Sequence, residues 1–112
     1  MSNVPLRYPE ATDVQPTVTV VVKHPDNSET PYDLTGHTIT LIRKLTKDVP
    51  DNDAGNITSA GAIIAPATNG IFTIPITAAM LTPTGEYWYK INGVVSGKTV
   101  TLQYGILEAI NT

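Results

Sequence analysis

The side chains that most often bind metals are scarce in this chain, which has two histidines, ten acidic residues and no cysteine. His24 and His37 are 13 positions apart. A zinc site needs three or four ligands, usually including one closely spaced pair. Because no cysteine or third histidine completes such a set, we predict no metal site at either histidine.

Nucleophilic and acid–base catalysis also lack the residues they need. An activated serine typically lies in a Gly-x-Ser-x-Gly turn between a strand and a helix. In the nearest match, residues 93–97 around Ser96, the first glycine comes one position too early. Asp33 lies in a predicted turn, and Glu86 and Glu108 lie on predicted sheet faces, so no pair of carboxylates marks a cleft. We therefore predict no catalytic residue, no cofactor and no enzyme.

The acidic stretch 48–56 is the best candidate for binding an ion, because alternating oxygen ligands such as Asp51 and Asp53 suit a hard cation like calcium. The calcium-loop pattern fails at two places. Gly55 comes one position early, and Ala62 occupies the position of the bidentate acid. The composition favours a solvated loop instead.

The aromatic residues at 87–89 are candidates for contact with a partner. In a strand, Tyr87 and Tyr89 point to one face and Trp88 to the other. An outward Trp88 could stack on a sugar or act as a contact hot spot. Three tyrosines could lie near it: Tyr8, Tyr32 and Tyr104. The alternative is a tryptophan in the core with the tyrosines at its rim.

The composition predicts the kind of element that holds these residues. The chain has 112 residues, close to the usual size of one domain, including 17 Thr, 11 Ile and 10 Val. These β-branched types pack well on a pleated sheet. Nine prolines and eight glycines interrupt the chain and rule out long helices. An all-β domain follows.

Charge and hydropathy exclude two classes of partner. Seven basic residues against ten acidic ones give a net charge of −3, so the chain lacks the basic footprint of a nucleic-acid-binding protein. No apolar run approaches the roughly 20 residues needed to span a bilayer. We expect neither nucleic acid nor membrane as a partner.

Residues 1–14 contain Pro5 and Pro9 but no periodic pattern, which indicates an extended N-terminal arm. Such an arm can become ordered against a neighbouring subunit. We expect Val4, Leu6 and Tyr8 to contact that neighbour, and we expect the folded domain to remain intact when the arm is deleted.

Six strands are predicted in the remaining 15–112 region from alternating apolar residues. They cover residues 15–23, 37–43, 57–65, 71–76, 85–91 and 98–110. Asn69-Gly70 predicts a type I′ hairpin turn, and Asn92-Gly93 predicts a second turn. Residues 77–81 predict one helical turn. A bulge at Gly105 would point Leu107 and Ala109 inward and leave Glu108 in water.

Short strands separated by frequent turns over about 100 residues are typical of an antiparallel β-sandwich. A five-stranded barrel of the OB type is the alternative, but it would usually carry a longer helix. We predict a single immunoglobulin-like antiparallel β-sandwich at 15–112, with six to eight strands and at most one short helical turn.

Three segments, taken in order, carry a resemblance to a known family. They are Pro-Tyr-Asp-Leu-Thr-Gly-His-Thr-Ile at 31–39, Met-Leu-Thr-Pro-Thr-Gly-Glu-Tyr-Trp-Tyr at 80–89, and the closing strand 99–109, which contains Thr101, Tyr104, Gly105 and Leu107. Together they resemble the immunoglobulin-like N-terminal domain of tailed-phage baseplate upper proteins and related virion accessory proteins. The resemblance covers roughly residues 15–110.

The resemblance implies a structural module without catalytic residues. We expect a virion accessory protein, assembled in the host cytoplasm and present in many copies per particle. Its partners would be other phage structural proteins, in the capsid as a decoration or in the tail or baseplate. Val4, Leu6, Tyr8 and Trp88 are the candidate contact residues. The alternative function is a carbohydrate-binding β-sandwich module used in host-surface adhesion.

Overall fold

The structure is a computed structural model that describes residues 2–110, and it is built almost entirely from strands. Two single 3-10 turns, Ala67–Asn69 and Ala78–Leu81, are the helical elements of this range. The strands are β1 (Ser2–Asn3), β2 (Leu6–Pro9), β3 (Thr17–Thr19), β4 (Val21–Lys23), β5 (Glu29–Pro31), β6 (Thr38–Lys44), β7 (Ile57–Ala60), β8 (Ala62–Ile63), β9 (Ile71–Thr73), β10 (Gly85–Val95) and β11 (Lys98–Ile110). The all-β prediction is confirmed.

The main sheet is organised around the two longest strands, β10 and β11. They form an antiparallel pair, and β10 also pairs with β6, which in turn pairs with β7. On the other side, β1 and β2 both run parallel to β11. The first and last strands of the described chain are therefore neighbours.

A second, smaller sheet has the order β3-β9-β8, and β4 and β5 form a separate hairpin. Gly61 lies where the chain passes from β7 of the main sheet to β8 of the second. A Cβ on this residue would lie 2.7 Å from Ile39 Cγ2, so a larger residue here would have to displace the Ile39 side chain. The predicted strand 57–65 is thus two strands, because residues 57–60 pair with β6 and residues 62–63 pair with β9.

The core is one cluster of apolar side chains contributed by both sheets. The main sheet supplies Ile39, Leu41, Tyr87, Tyr89, Ile91, Leu102, Leu107 and Ala109, and the second sheet and its flanks supply Val18, Val20, Phe72, Ile74 and Ile76. Leu34, Met80 and Leu81 close the cluster from the turns. Burial of this apolar area is the main source of stability in a chain without disulfides.

The chain contains more strands than the predicted six to eight, because two of the six predicted strands are each interrupted and because β1, β2 and β5 lie outside the predicted strands. The segment 15–23 divides at Val20, whose N–H donates to Gly70 O and whose carbonyl accepts from Tyr32. Val18 and Val20 are buried as expected. Val22 is exposed, because β4 leaves the core and pairs with β5.

Both Asn-Gly turn predictions are wrong in detail. Gly70 has a φ of +70°, but Asn69 ends a 3-10 turn and keeps a negative φ, so the turn is not of type I′. Asn92 and Gly93 lie within β10. The actual hairpin turn is Ser96-Gly97, with φ angles of 51° and 78° between the paired residues at 95 and 98. Two positive φ angles define a type I′ turn.

The inward-facing side chains of the last strand do switch from one alternation to the other, as predicted, but the switch is not at Gly105. The register between β10 and β11 shifts where Ile91 pairs with Gln103 and Asn92 with Thr101, which leaves Leu102 as the extra residue. The bulge therefore precedes Gly105. As predicted, Leu107 and Ala109 are buried.

The predicted helical turn is a 3-10 turn at Ala78–Leu81 that buries Met80 and Leu81. Thr77 lies at its N-cap without a side-chain cap bond. Instead, Asp13 Oδ1 accepts a hydrogen bond of 2.7 Å from the Ala78 N–H, so a residue of the predicted arm caps the turn.

Candidate functional site

The alternation along β10 places Trp88 outside the core. Tyr87 and Tyr89 are 6% and 1% exposed and belong to the core cluster. Trp88 and Lys90 point to the opposite face, where both are half-buried. The interpretation of Trp88 as a core residue between rim tyrosines is therefore wrong, because the pleat sends the two tyrosines inward.

Neighbouring strands extend this outer face into a patch of aromatic and basic side chains. Lys44 of β6 lies directly opposite Trp88. On the other side, Tyr104 of β11 lies opposite Lys90, and Ile106 lies opposite Trp88. Because side chains two residues apart share a face, these five side chains lie on one side of the sheet.

The loop 45–56, between β6 and β7, folds back over this face through Asp51. Lys44 Nζ donates to Asp51 Oδ1 at 2.5 Å, and Lys90 Nζ donates to Oδ2 at 3.1 Å. Asn92 Nδ2 also lies 3.4 Å from Oδ2. The hydrogen bond from Lys44, reinforced by Lys90, lowers the pKa of Asp51 to about 2. Asp51 is thus an anion that joins the loop to two strands.

Lys47 completes the edge of the patch. Its Nζ lies over the Trp88 ring, 5.6 Å from the ring centroid, at a distance typical of a cation–π contact. Between loop and sheet lies a shallow groove of about 410 Å³. Its lining includes Lys44, Lys47, Trp88, Lys90, Thr101 and Tyr104.

The candidate contact residues of the predicted arm lie on the other side of the sheet from Trp88. Leu6 and Tyr8 pair with Leu107 and Ala109 of β11 and pack against the core cluster. Burial raises the pKa of Tyr8. The structure therefore does not bring these residues together with Trp88 into one patch.

Val4 is connected to the core through its backbone. Tyr89 Oη donates to the Val4 carbonyl and accepts from Gln103 Nε2 at 2.9 Å. Burial is the main reason that the pKa of Tyr89 is raised to about 12. Residues 2–9 of the predicted N-terminal arm thus contact their own sheet in this chain. Whether they also contact a neighbour stays a prediction.

The histidines and acidic loop residues have local partners. His24 Nε2 lies 3.0 Å from Thr30 Oγ1, and His37 Nε2 lies 3.0 Å from Tyr32 Oη. Asp53 accepts from the Gly55 N–H within its own loop. Within residues 2–110, no three His, Asp or Glu side chains are grouped in a way that could hold a metal ion.

Arg43 is a buried cation on the inner face of β6. It is 5% exposed, and its guanidinium lies over the Tyr87 ring, 4.6 Å from the ring centroid. Its Nε and Nη1 atoms are buried without a hydrogen-bond partner in the described part of the chain. Burial lowers the pKa of Arg43, as expected for a cation removed from water.

Sequence reasoning identified Trp88 and Tyr104 but missed the three lysines of the groove. The spacing of Trp88 and Lys90 already predicts a shared face on one strand. The register between strands, however, decides that Lys44 and Tyr104 join them. The position of Lys47 depends on how the loop 45–56 folds, for which the sequence contains no periodic signal.

No protein-family model matches this chain, and a search of curated proteins finds no similar sequence. No helix between residues 2 and 110 has the length and apolar character needed to cross a membrane.

Proposed function

We propose that the chain is an immunoglobulin-like β-sandwich, and strand order supports this. In variable-type domains one sheet contains strands G, F, C and C′, and the other contains B, E and D. The order β11-β10-β6-β7 corresponds to the first sheet, and the order β3-β9-β8 corresponds to the second. The core cluster between them has contributions from both sheets.

A tyrosine at the start of β10 supports the same fold. In immunoglobulin-like domains, a tyrosine near the start of strand F donates a hydrogen bond to the backbone a few residues upstream. Tyr87 Oη donates to the Pro83 carbonyl at 2.6 Å. The chain differs from antibody domains in having no cysteine for an inter-sheet disulfide and no tryptophan in β6.

We further propose that this module is a structural accessory protein of a tailed-phage virion. It would bind the capsid, tail or baseplate through protein contacts, without catalysing a reaction. The observation that carries the proposal is the placement of the three resembling segments. Asp33 accepts hydrogen bonds from both N–H and Oγ1 of Thr35 in the turn before β6, residues 80–89 lead into β10, and the third segment lies within β11.

The surface best suited to such a contact is the outer face around Trp88. Tryptophan and tyrosine are enriched at the centres of protein interfaces, and Trp88 lies beside the exposed Tyr104 in the groove. The N-terminal residues are less available, because Leu6 and Tyr8 already pack against the core.

A carbohydrate-binding module used in host adhesion is the second candidate function. The rings of Trp88 and Tyr104 also favour this function, because aromatic side chains on the outer face of a sheet can stack on sugars. Saturable binding on a glycan array, lost on Trp88→Ala substitution, would support this alternative over the structural one.

Particle composition tests the structural proposal. Virions produced by cells that express the tagged chain are purified on a density gradient, and their proteins are quantified by mass spectrometry and gold labelling. We expect the chain to sediment with particles in many copies, with an abundant host enzyme as the carry-over control. Recovery only in the unassembled fraction would contradict the proposal.

A further inference from the structure

The groove on the outer face of the main sheet is a basic site on an acidic protein. Three of its lining residues, Lys44, Lys47 and Lys90, come from the seven basic residues of the chain. One carboxylate, that of Asp51, pairs with two of them. The groove is therefore positively charged, whereas the whole chain has a net charge of −3.

The structure already holds one carboxylate in this place. Asp51 accepts hydrogen bonds from Lys44 and Lys90, which shows that this patch can bind an acidic side chain presented by an irregular segment. Lys47 has no ion pair with any residue in the described range, and its ammonium lies over the Trp88 ring. It is therefore the cation in the best position to receive a second carboxylate.

The aromatic rings beside these cations fit a protein partner. Trp88 and Tyr104 lie on adjacent strands, two residues apart in register, and Tyr104 is 40% exposed. Such diagonal neighbours are roughly 7–8 Å apart, within reach of a single side chain laid between them. Charges around a central aromatic contact are the usual arrangement of a protein interface.

We propose that this groove binds an acidic segment of a neighbouring virion protein, with a carboxylate on Lys47 and an apolar side chain against Trp88 and Tyr104. The inference rests on the proposed function and assigns the contact surface and the chemistry of the partner. Glu86 and Glu108 face each other across β10 and β11 next to Trp88. Glu108 is paired with Arg7 at 2.9 Å, so the charge of Glu86 is the one that would repel the acidic segment at that end and orient it.

The test uses the full chain, particles that lack it, and a labelled peptide of ten glutamates with one tryptophan. Lys47→Glu reverses the charge of the key cation, and Lys98→Glu makes the same change at the exposed start of β11. Trp88→Ala removes the aromatic contact, and Ile64→Ala is its control at an exposed apolar site outside the groove lining. Circular dichroism verifies that each variant is folded.

We expect Lys47→Glu to weaken binding to particles and peptide at least about tenfold, because a repulsive charge replaces an attractive one. Trp88→Ala should weaken binding to particles by about 30-fold, the size of an interface hot spot. Both controls should match the wild type. Binding should also weaken as salt rises from about 0.1 M to about 1 M, because screening shortens the range of the charges.

The outcomes separate the inference from the proposed function. Equal particle binding by the wild type and Lys47→Glu would overturn the inference and leave the structural role intact. Absence of particle binding by every variant would overturn the structural role, and the peptide would still test the groove. Binding of tri-galacturonate in preference to the peptide, dependent on Trp88, would overturn the inference in favour of an acidic sugar ligand.

Discussion

At the scale of single residues, Arg43 is the most unusual feature of the core. A buried charge is costly unless it is paired and hydrogen-bonded. The contact with the Tyr87 ring compensates for part of this cost, but two of its nitrogen atoms lack partners among the described residues. We therefore expect this side chain to stabilise the fold less than an apolar residue of similar size would.

We accordingly predict that Arg43→Met leaves the free energy of unfolding unchanged or raises it by about 1–3 kcal/mol. Urea denaturation followed by fluorescence measures the change. Arg7→Met at the exposed Arg7 is the matched control and should shift stability by less than about 1 kcal/mol, because the ion pair of Arg7 with Glu108 is at the surface. A loss of several kcal/mol in Arg43→Met would contradict the prediction.

Tyr89 is a second residue whose polar atom is buried, but its hydroxyl group is fully used. Substitution to Phe would leave the Val4 carbonyl and Gln103 Nε2 without their partner. We predict that Tyr89→Phe lowers the free energy of unfolding by about 1–3 kcal/mol. Tyr104→Phe, at an exposed position, should have little effect in the same urea titration.

The same tyrosine makes stability depend on alkaline pH. Its pKa is about 12 in the folded chain, above the ordinary 10.0, so the folded state favours the protonated phenol. The stability that the protonated Tyr89 phenol contributes to the folded state is fully present below pH 10, and it is lost as the pH rises toward 12. Wild-type stability should therefore fall more steeply across this window than that of Tyr89→Phe, and equal slopes would contradict the assignment.

At the scale of elements, the turns that connect strands depend on glycine to different degrees. Gly70 has a φ of +70°, and a Cβ there would lie 2.5 Å from the Val20 carbonyl oxygen and 2.8 Å from that of Tyr32. Gly97, in the hairpin turn, has a φ of +78° but open space around it. A side chain at position 70 would therefore cause backbone strain and also clash with the backbone of Val20 and Tyr32. A side chain at position 97 would cause backbone strain alone.

We predict that Gly97→Ala costs about 1–2 kcal/mol, the usual cost of a left-handed conformation. Gly70→Ala should cost clearly more, because Val20 and Tyr32 would have to move. Urea denaturation and the dispersion of amide NMR signals measure both variants, so that a Gly70→Ala chain that fails to fold is also recognised. Similar losses in the two variants would show that the segment around Gly70 adapts easily.

At the scale of the whole molecule, the N-terminal strands complete the main sheet. Leu6 and Tyr8 pack against the core, and the backbone of residues 2–9 pairs with β11. Whether the folded domain remains intact when the arm is deleted, as predicted from the sequence, depends on how much this pairing contributes to stability. The pairing is parallel and joins segments about 100 positions apart, which no local pattern in the sequence indicates.

We predict that deletion of residues 1–9 lowers the free energy of unfolding by about 2–4 kcal/mol, because two partly buried side chains are lost. Equilibrium urea denaturation is the measurement. Arg7→Ser, which changes an exposed residue of β2, is the control and should cost less than about 1 kcal/mol. Wild-type stability of the deletion variant would mean that the N-terminal strands contribute little to the domain.

The sequence alone determined the all-β class, most strand positions and which side chains share a face of each strand. Alternation is local: once residues 85–91 form a strand, Tyr87 and Tyr89 must share a face that Trp88 does not. The β-branched composition and the absence of long uninterrupted segments exclude helices for the same local reason.

Only the tertiary structure decided which face of β10 is buried, where the bulge in β11 lies and where the arm packs. It also decided that Lys44, Lys47 and Lys90 converge beside Trp88. These features depend on register and on contacts between distant segments, and a shift of one residue would reverse every side chain of a strand. The packing of the whole core determines these contacts. The groove therefore cannot be located from the sequence, because its residues come together only through strand pairing.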